Sequence, residues 1–174
     1  MSRADRARWD ARFDGLGAGE PAPPGPLVGR EHLVPTSGRA LDLACGRGTV
    51  AVWLARRGLT VDAVDVSPVG LAAGRELAGA TPVRWIEADL DDGLPVAGPY
   101  DVVVCQRFRA PTLYAPLADV LAPGGRLVIS VLSEVGDTGG PFRAPPGELP
   151  AAFSHLEVLY HEEGDGEARL VARR

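Results

Sequence analysis

The stretch Ala40-Leu-Asp-Leu-Ala-Cys-Gly-Arg-Gly48 is an apolar run that passes into a glycine turn, with one carboxylate, Asp42, inside the apolar part. A helix from Thr49 to Arg57 follows, and Gly58 stops it at the C′ position. The next apolar run, Val61-Asp-Ala-Val-Asp65, ends on an acid. A strand that enters a helix through glycines lets backbone N–H groups and the helix N-terminus approach a ligand closely. An acidic side chain at the tip of the following strand can accept both hydroxyls of a ribose. The spacing therefore predicts the nucleotide-binding half of an α/β sheet.

Outward from this pair the alternation continues. Ser67 and Pro68 supply an N-cap and a first-turn proline for a helix to about Ala78. Further strands are predicted over Val83–Ala88, ending at Asp89, over Tyr100–Cys105 and over Arg126–Leu132. The Tyr100–Cys105 run is continuously apolar, as in a strand covered on both faces. Between the last two, Pro111–Leu121 reads as a helix and Pro123-Gly-Gly125 as a turn. Leu156–His161 and Ala168–Ala172, separated by Glu-Glu-Gly-Asp-Gly, carry a hairpin signal. At the other end, Trp9 and Phe13 mark one face of a helix over 4–14, residues 15–26 form a mobile Gly/Pro-rich loop, and Leu27–Val34 reads as one more helix. Repeated βα units demand a parallel sheet with right-handed crossovers. Ligands of such sheets bind beyond the strands' carboxyl ends, here at the switch point between the first and fourth strands. Gly46, Asp65, Asp89 and Gln106 fall at such ends.

Composition narrows the function. A chain of 174 residues, 45% hydrophobic and 24% charged, suits one globular domain. A net charge of -5 opposes a phosphate backbone as principal partner, so no nucleic acid is expected. All 18 basic residues are arginine, which removes Schiff-base and P-loop lysine chemistry. The sequence has no apolar run near the ~18 residues of a membrane span, and the charged N-terminus lacks an apolar signal segment. No membrane association and a cytoplasmic location are the expectations. Cys45 and Cys105 lack metal-ligand spacing and read as reduced thiols, with no metal site.

Gly46-x-Gly48-x-x-Ala51 with Asp65 satisfies the loose dinucleotide fingerprint, so an NAD-binding protein is an alternative. Asp42 inside the first strand, a second strand-end acid at Asp89, and the lack of room for a further catalytic portion point elsewhere. Ala40–Gly48, Val61–Asp65, Glu87-Ala-Asp-Leu90, Tyr100–Cys105 and Leu121-Ala-Pro-Gly-Gly-Arg-Leu127 resemble the successive motifs of the class I S-adenosylmethionine-dependent methyltransferases. The likeness covers residues 38–132. Trp9-Asp-Ala-Arg-Phe13 resembles the start of the small bacterial tellurite-resistance and thiopurine-type branch.

The resemblance implies a Rossmann-like, seven-stranded, mostly parallel sheet with helices on both faces and an antiparallel C-terminal hairpin strand. Residues 1–174 would form a single domain, with 1–37 supplying N-terminal helices and a loop over the cofactor site and 38–174 the sheet core. S-adenosyl-L-methionine would be the cofactor. Asp42 and the backbone of Ala44, Cys45 and Gly46 would hold its methionine end, Asp65 its ribose, Val66, Asp89 and Leu90 its adenine. Gln106 and Arg107 would lie beside the sulfonium. Arg12 would reach the cofactor carboxylate while Trp9 and Phe13 close over it. Two departures stand out: Ala44 replaces the first family glycine, and Ser130-Val-Leu-Ser-Glu134 lacks the branch's histidine-aspartate pair. Trp53 and Trp85 read as core. The sequence specifies no catalytic residue and no oligomeric state; Glu134 and Asp137 are candidate bases, and Arg107 with Arg109 suits an anion. The expected function is methyl transfer to a small molecule, with an inactive S-adenosylmethionine-binding protein as the other reading.

Overall fold

The computed structural model describes residues 3–17, 19–137, 140 and 142–174. The chain divides into two compact units, 1–23 with 35–97, and 24–34 with 98–174. The first contains α1 (Arg3–Phe13), β1 (Arg39–Leu43), α2 (Thr49–Arg56), β2 (Thr60–Asp65), α3 (Pro68–Ala78) and β3 (Val83–Glu87). β1, β2 and β3 pair in parallel, with Asp42 opposite Ala63 and Asp65 opposite Glu87. The apolar runs of β1 and β2 are buried almost throughout, so burial rather than alternation shapes them. Ser67 caps α3 by accepting the Gly70 N–H at 3.0 Å, and Pro68 opens its first turn.

The second unit contains β4 (Tyr100–Gln106), α4 (Tyr114–Asp119), β5 (Leu121–Leu132), α5 (Glu148–Ala152), β6 (Glu157–Gly164) and β7 (Glu167–Arg173). β4 and β5 are parallel, whereas β7 pairs antiparallel with both β5 and β6. Across the chain the strand order is β3-β2-β1-β4-β5-β7-β6 in one seven-stranded sheet, the mostly parallel arrangement expected. The β6–β7 hairpin turns through Asp165 and Gly166, both at positive φ, as an Asp-Gly turn requires.

Three expectations change. Leu27–Val34 forms no α-helix but part of two 3-10 turns, Gly25–Leu27 and Glu31–Leu33, because glycine and proline flank it too closely for a full helical nucleus. Pro111–Leu121 is a 3-10 turn over Pro111–Leu113 followed by the six-residue α4. The Pro123-Gly-Gly125 turn is an irregularity within β5, held by main-chain bonds of Gly124 and Gly125 to Arg174. α5 was not predicted; the αL residue Gly147 opens it, and Leu149 and the following Phe153 are buried.

A glycine turn between two buried carboxylates

The turn after β1 is left-handed at three points: Ala44 (φ 52°), Gly46 (54°) and Gly48 (68°). Alanine adopts that conformation at a cost of roughly 1 kcal/mol relative to glycine. The turn is tied to β2 twice. Cys45 N donates to the Val64 carbonyl at 3.0 Å, and Gly46 N donates to Asp65 Oδ2 at 2.8 Å. Asp65 Oδ1 accepts the Ser67 N–H, also at 2.8 Å. Each oxygen of this carboxylate therefore accepts a backbone donor and keeps lone-pair capacity. Asp65 is only 5% exposed. Burial raises its pKa, the N–H groups of Ser67, Gly46 and Val66 pull it down, and the charge of Asp10 pushes it up.

Asp42 is 3% exposed, and its Oδ2 is buried without a hydrogen-bond partner among the described residues. Its pKa is pushed up to about 8, first by burial; the Ala51 N–H opposes this and the Asp65 charge adds to it. Burial, then Asp42 and Asp65, also push the Cys45 thiol well up, so it is no reactive thiolate. Neither cysteine is in a disulfide.

Helix α1 is docked on this end of the first unit. Arg6 pairs with Glu87 and its Nε donates to the Val66 carbonyl at 3.2 Å. Ser67 Oγ donates to Asp10 Oδ1 at 2.5 Å. The Phe13 ring lies on the turn, where a Cβ at Gly46 would come within 3.1 Å of it. Phe13 stacks on Trp9 with centroids 5.5 Å apart, and the guanidinium of Arg12 covers Trp9 at 5.5 Å. Arg47 Nη1 donates to the carbonyls of Leu16 and Gly17, at 3.0 and 2.5 Å, drawing the following segment over the same turn. Trp85 is half-buried rather than core: its ring fills a slot between Gly48 and Gly74, where added Cβ atoms would lie 2.3 and 2.6 Å from Cη2. Trp53 is likewise half-buried, under the Arg57 guanidinium.

The first unit thus brings together Asp42, Ala44, Cys45, Gly46, Asp65 and Val66, with Trp9 and Arg12 on the helix above. Asp89 uses Oδ1 to accept the Asp91 N–H at 2.9 Å, capping the Leu90–Asp92 turn, and Leu90 is buried. In the second unit, Gln106 Oε1 accepts the Gly25 N–H at 2.7 Å. Arg107 is left-handed (φ 52°) and 73% exposed, with Nε 3.7 Å from Glu167. Two acceptor-side candidates change: Arg109 is held by Glu148, at 2.8 and 2.5 Å, and Asp137 by Arg143. Tyr114 completes the first of these groups, its hydroxyl donating to Glu148 Oε1 at 2.6 Å. Sequence reasoning missed Arg6, Asp10, Gly70 and Glu148. For α1 the signal was present, since Arg6, Asp10 and Phe13 share a face with Trp9.

Among the described residues no group of histidine, cysteine and acidic side chains could hold a metal ion, and no helix is long and apolar enough to cross a membrane. Residues 40–125 match the profile of a family described as a methyltransferase domain. The ubiquinone biosynthesis O-methyltransferase of Xanthomonas axonopodis pv. citri is 32% identical over 110 residues, 59% of this chain and 46% of that protein. The ribosomal protein L11 methyltransferase of Bordetella parapertussis is 38% identical over 112 residues, 62% of this chain and 36% of that protein. The chain therefore spans less than half the length of either relative. The structure of TehB from Haemophilus influenzae matches with a TM-score of 0.73 at 19% identity, over 86% of this chain and 61% of that one. Residues 40–125 thus carry the pattern of a methyltransferase domain, in a chain whose fold is that of the TehB structure.

Proposed function

We propose that the chain binds S-adenosylmethionine and transfers its methyl group to a small molecule. The observation that carries this reading is the pair of buried carboxylates, Asp42 and Asp65, on either side of a left-handed glycine turn. Asp65 keeps acceptor capacity for a ribose diol, and the unpartnered Asp42 Oδ2 suits a cation. Ala44, Cys45 and Gly46 would hold the amino-acid end of the cofactor, Val66, Asp89 and Leu90 its adenine, and Gln106 and Arg107 would border the sulfonium. Residues 1–174 act as one domain in this reading, with Trp9, Arg12 and Phe13 covering the cofactor. Bound, the cofactor supplies an electrophilic methyl group for in-line displacement. The chain's own part is to hold it, exclude water and orient the acceptor.

A small acceptor is supported by the charge pattern. The net charge is -5, and in the second unit Arg109, Arg143, Arg169 and Arg173 are each engaged by carboxylates rather than turned out as a basic strip. Two cysteines outside any disulfide agree with a cytoplasmic setting. Calorimetric titration with S-adenosylmethionine, S-adenosylhomocysteine and NAD tests the cofactor, and Asp65→Ala should abolish binding and turnover together. Binding of NAD in place of the other two would overturn the reading. Binding without turnover across thiols, phenols, small acids and metalloid anions would favour a non-catalytic binding protein, which the missing histidine-aspartate pair after β5 makes a specific alternative.

A further inference from the structure

The carboxyl group of Asp42 is placed where its ionised form lacks compensation. It is the last residue but one of β1, 3% exposed, with Oδ2 meeting no donor among the described residues. An ionised carboxylate taken out of water without partners is strongly disfavoured. The titratable groups that act on it or on its neighbour are all acids or thiols: Asp65 at the tip of β2, Cys45 on the turn, and beyond Asp65 the Asp10 carboxylate of α1. From α2 it receives only the Ala51 N–H, which favours the anion less than burial disfavours it.

We infer that Asp42 carries a proton while no cation lies beside it, and releases that proton to solvent when the cationic amino-acid end of S-adenosylmethionine binds. Cofactor uptake is then an exchange of one positive charge for another, and the turn never buries an uncompensated anion. The inference rests on the cofactor reading given above. It makes Asp42 a residue that sets the pH range of loading. While the free protein is protonated at this site, affinity rises about tenfold per pH unit, and it levels off once Asp42 ionises unaided. S-adenosylhomocysteine shares the amino-acid end and releases the same proton.

The experiment is titration calorimetry of the full chain with both ligands at about pH 6, in two buffers of different protonation enthalpy, repeated up to about pH 7.5. At the lower pH an α-amino group is itself largely protonated, so a released proton comes from the protein. The expected result is close to one proton released per ligand at the lowest pH, with release falling and affinity climbing as pH rises towards about 7.5, below the range in which the ligand's own amino group loses its proton. Asp42→Asn should bind more weakly, release none and show a flat profile. A second readout needs no variant: the 13C carboxyl resonance of Asp42 should titrate on the alkaline side of neutrality in the free protein and move to the acidic range when S-adenosylhomocysteine saturates it. Tight binding with no proton release, or an Asp42 resonance that titrates like an ordinary aspartate, overturns this inference and leaves the cofactor reading standing. Absence of binding at every pH overturns the cofactor reading itself.

Discussion

Gly70→Ala sets helix propensity against packing at one atom. In a helix with free space beside it, this change stabilises by roughly 1 kcal/mol. Gly70 stands in the first turn of α3, where a Cβ would lie 2.8 Å from the Gly46 carbonyl oxygen, 3.1 Å from the Gly46 carbonyl carbon and 2.9 Å from Phe13 Cδ2. The phenyl ring can swing away; the Gly46 backbone cannot, because its N–H is bonded to Asp65. Overpacking of this kind costs about 1–3 kcal/mol. Subtracting the propensity gain leaves a net loss of up to about 2 kcal/mol. The displaced turn also strains the Gly46–Asp65 bond, so affinity for S-adenosylmethionine should fall about tenfold, equivalent to about 1.4 kcal/mol. Urea denaturation followed by circular dichroism reads the first quantity as a lower midpoint with unchanged slope, and calorimetry reads the second. A midpoint that rises would refute the reasoning, since propensity would then have won and the turn would have room that its geometry denies.

Four further outcomes are expected. Gly74→Ala meets a side chain instead of backbone, so it should destabilise the wild-type chain by about 1 kcal/mol but stabilise a Trp85→Leu background, a sign change that a double-mutant cycle in urea detects. Ala44→Gly removes a left-handed alanine and should raise the urea midpoint by the equivalent of about 0.5–1 kcal/mol. Arg174→Ala strips the donors from the carbonyls of Ala118, Asp119 and Leu121, lowering stability by about 1 kcal/mol in thermal melts. The Arg109 hydrogen bond holds the Glu148 carboxyl below its ordinary range, with burial opposing and the Tyr114 hydroxyl assisting. A lowered folded-state pKa stabilises above the ordinary glutamate range and loses that contribution as pH falls through the folded value. Glu148→Gln should therefore cost about 1–2 kcal/mol at neutral pH, discounted for partial exposure, and the gap from wild type should narrow as pH falls below the ordinary glutamate range in urea titrations.

The centre of the sheet was legible because β1, β2, β4 and the end of β5 are apolar runs, and glycines stand where the turn after β1 requires them. The β6–β7 hairpin was legible for the same reason, since Asp165-Gly166 admits few other conformations. The segments that misled are those in which proline interrupts a pattern: Leu27–Val34 and Pro111–Leu121 have helical composition but too few residues between breakers to nucleate a long helix. Within the site, Asp42 and Asp65 announced themselves as acids in apolar strands. Asp10 and Gly70 did not, because their importance comes from partners distant in sequence, Ser67 and Gly46, and an aspartate on an exposed-looking helix resembles any other. Arg109 misled in the opposite direction: its charge suggested a ligand, and Glu148 neutralises it.

The stacking of Trp9 on Phe13 and the wedging of Trp85 between two glycines give the chain an optical partition. Its three tryptophans, Trp9, Trp53 and Trp85, all belong to the first unit, and its three tyrosines, Tyr100, Tyr114 and Tyr160, all belong to the second. Excitation at the red edge of the aromatic band therefore sees only the half that contains the glycine turn. Trp85 touches the residue from which α2 starts, so its emission reports on that turn without any attached dye. Tyrosine absorbance, with Tyr114 hydrogen-bonded to Glu148, follows the other half. Local opening of one unit ahead of the other would appear as two non-coincident transitions in the unmodified chain.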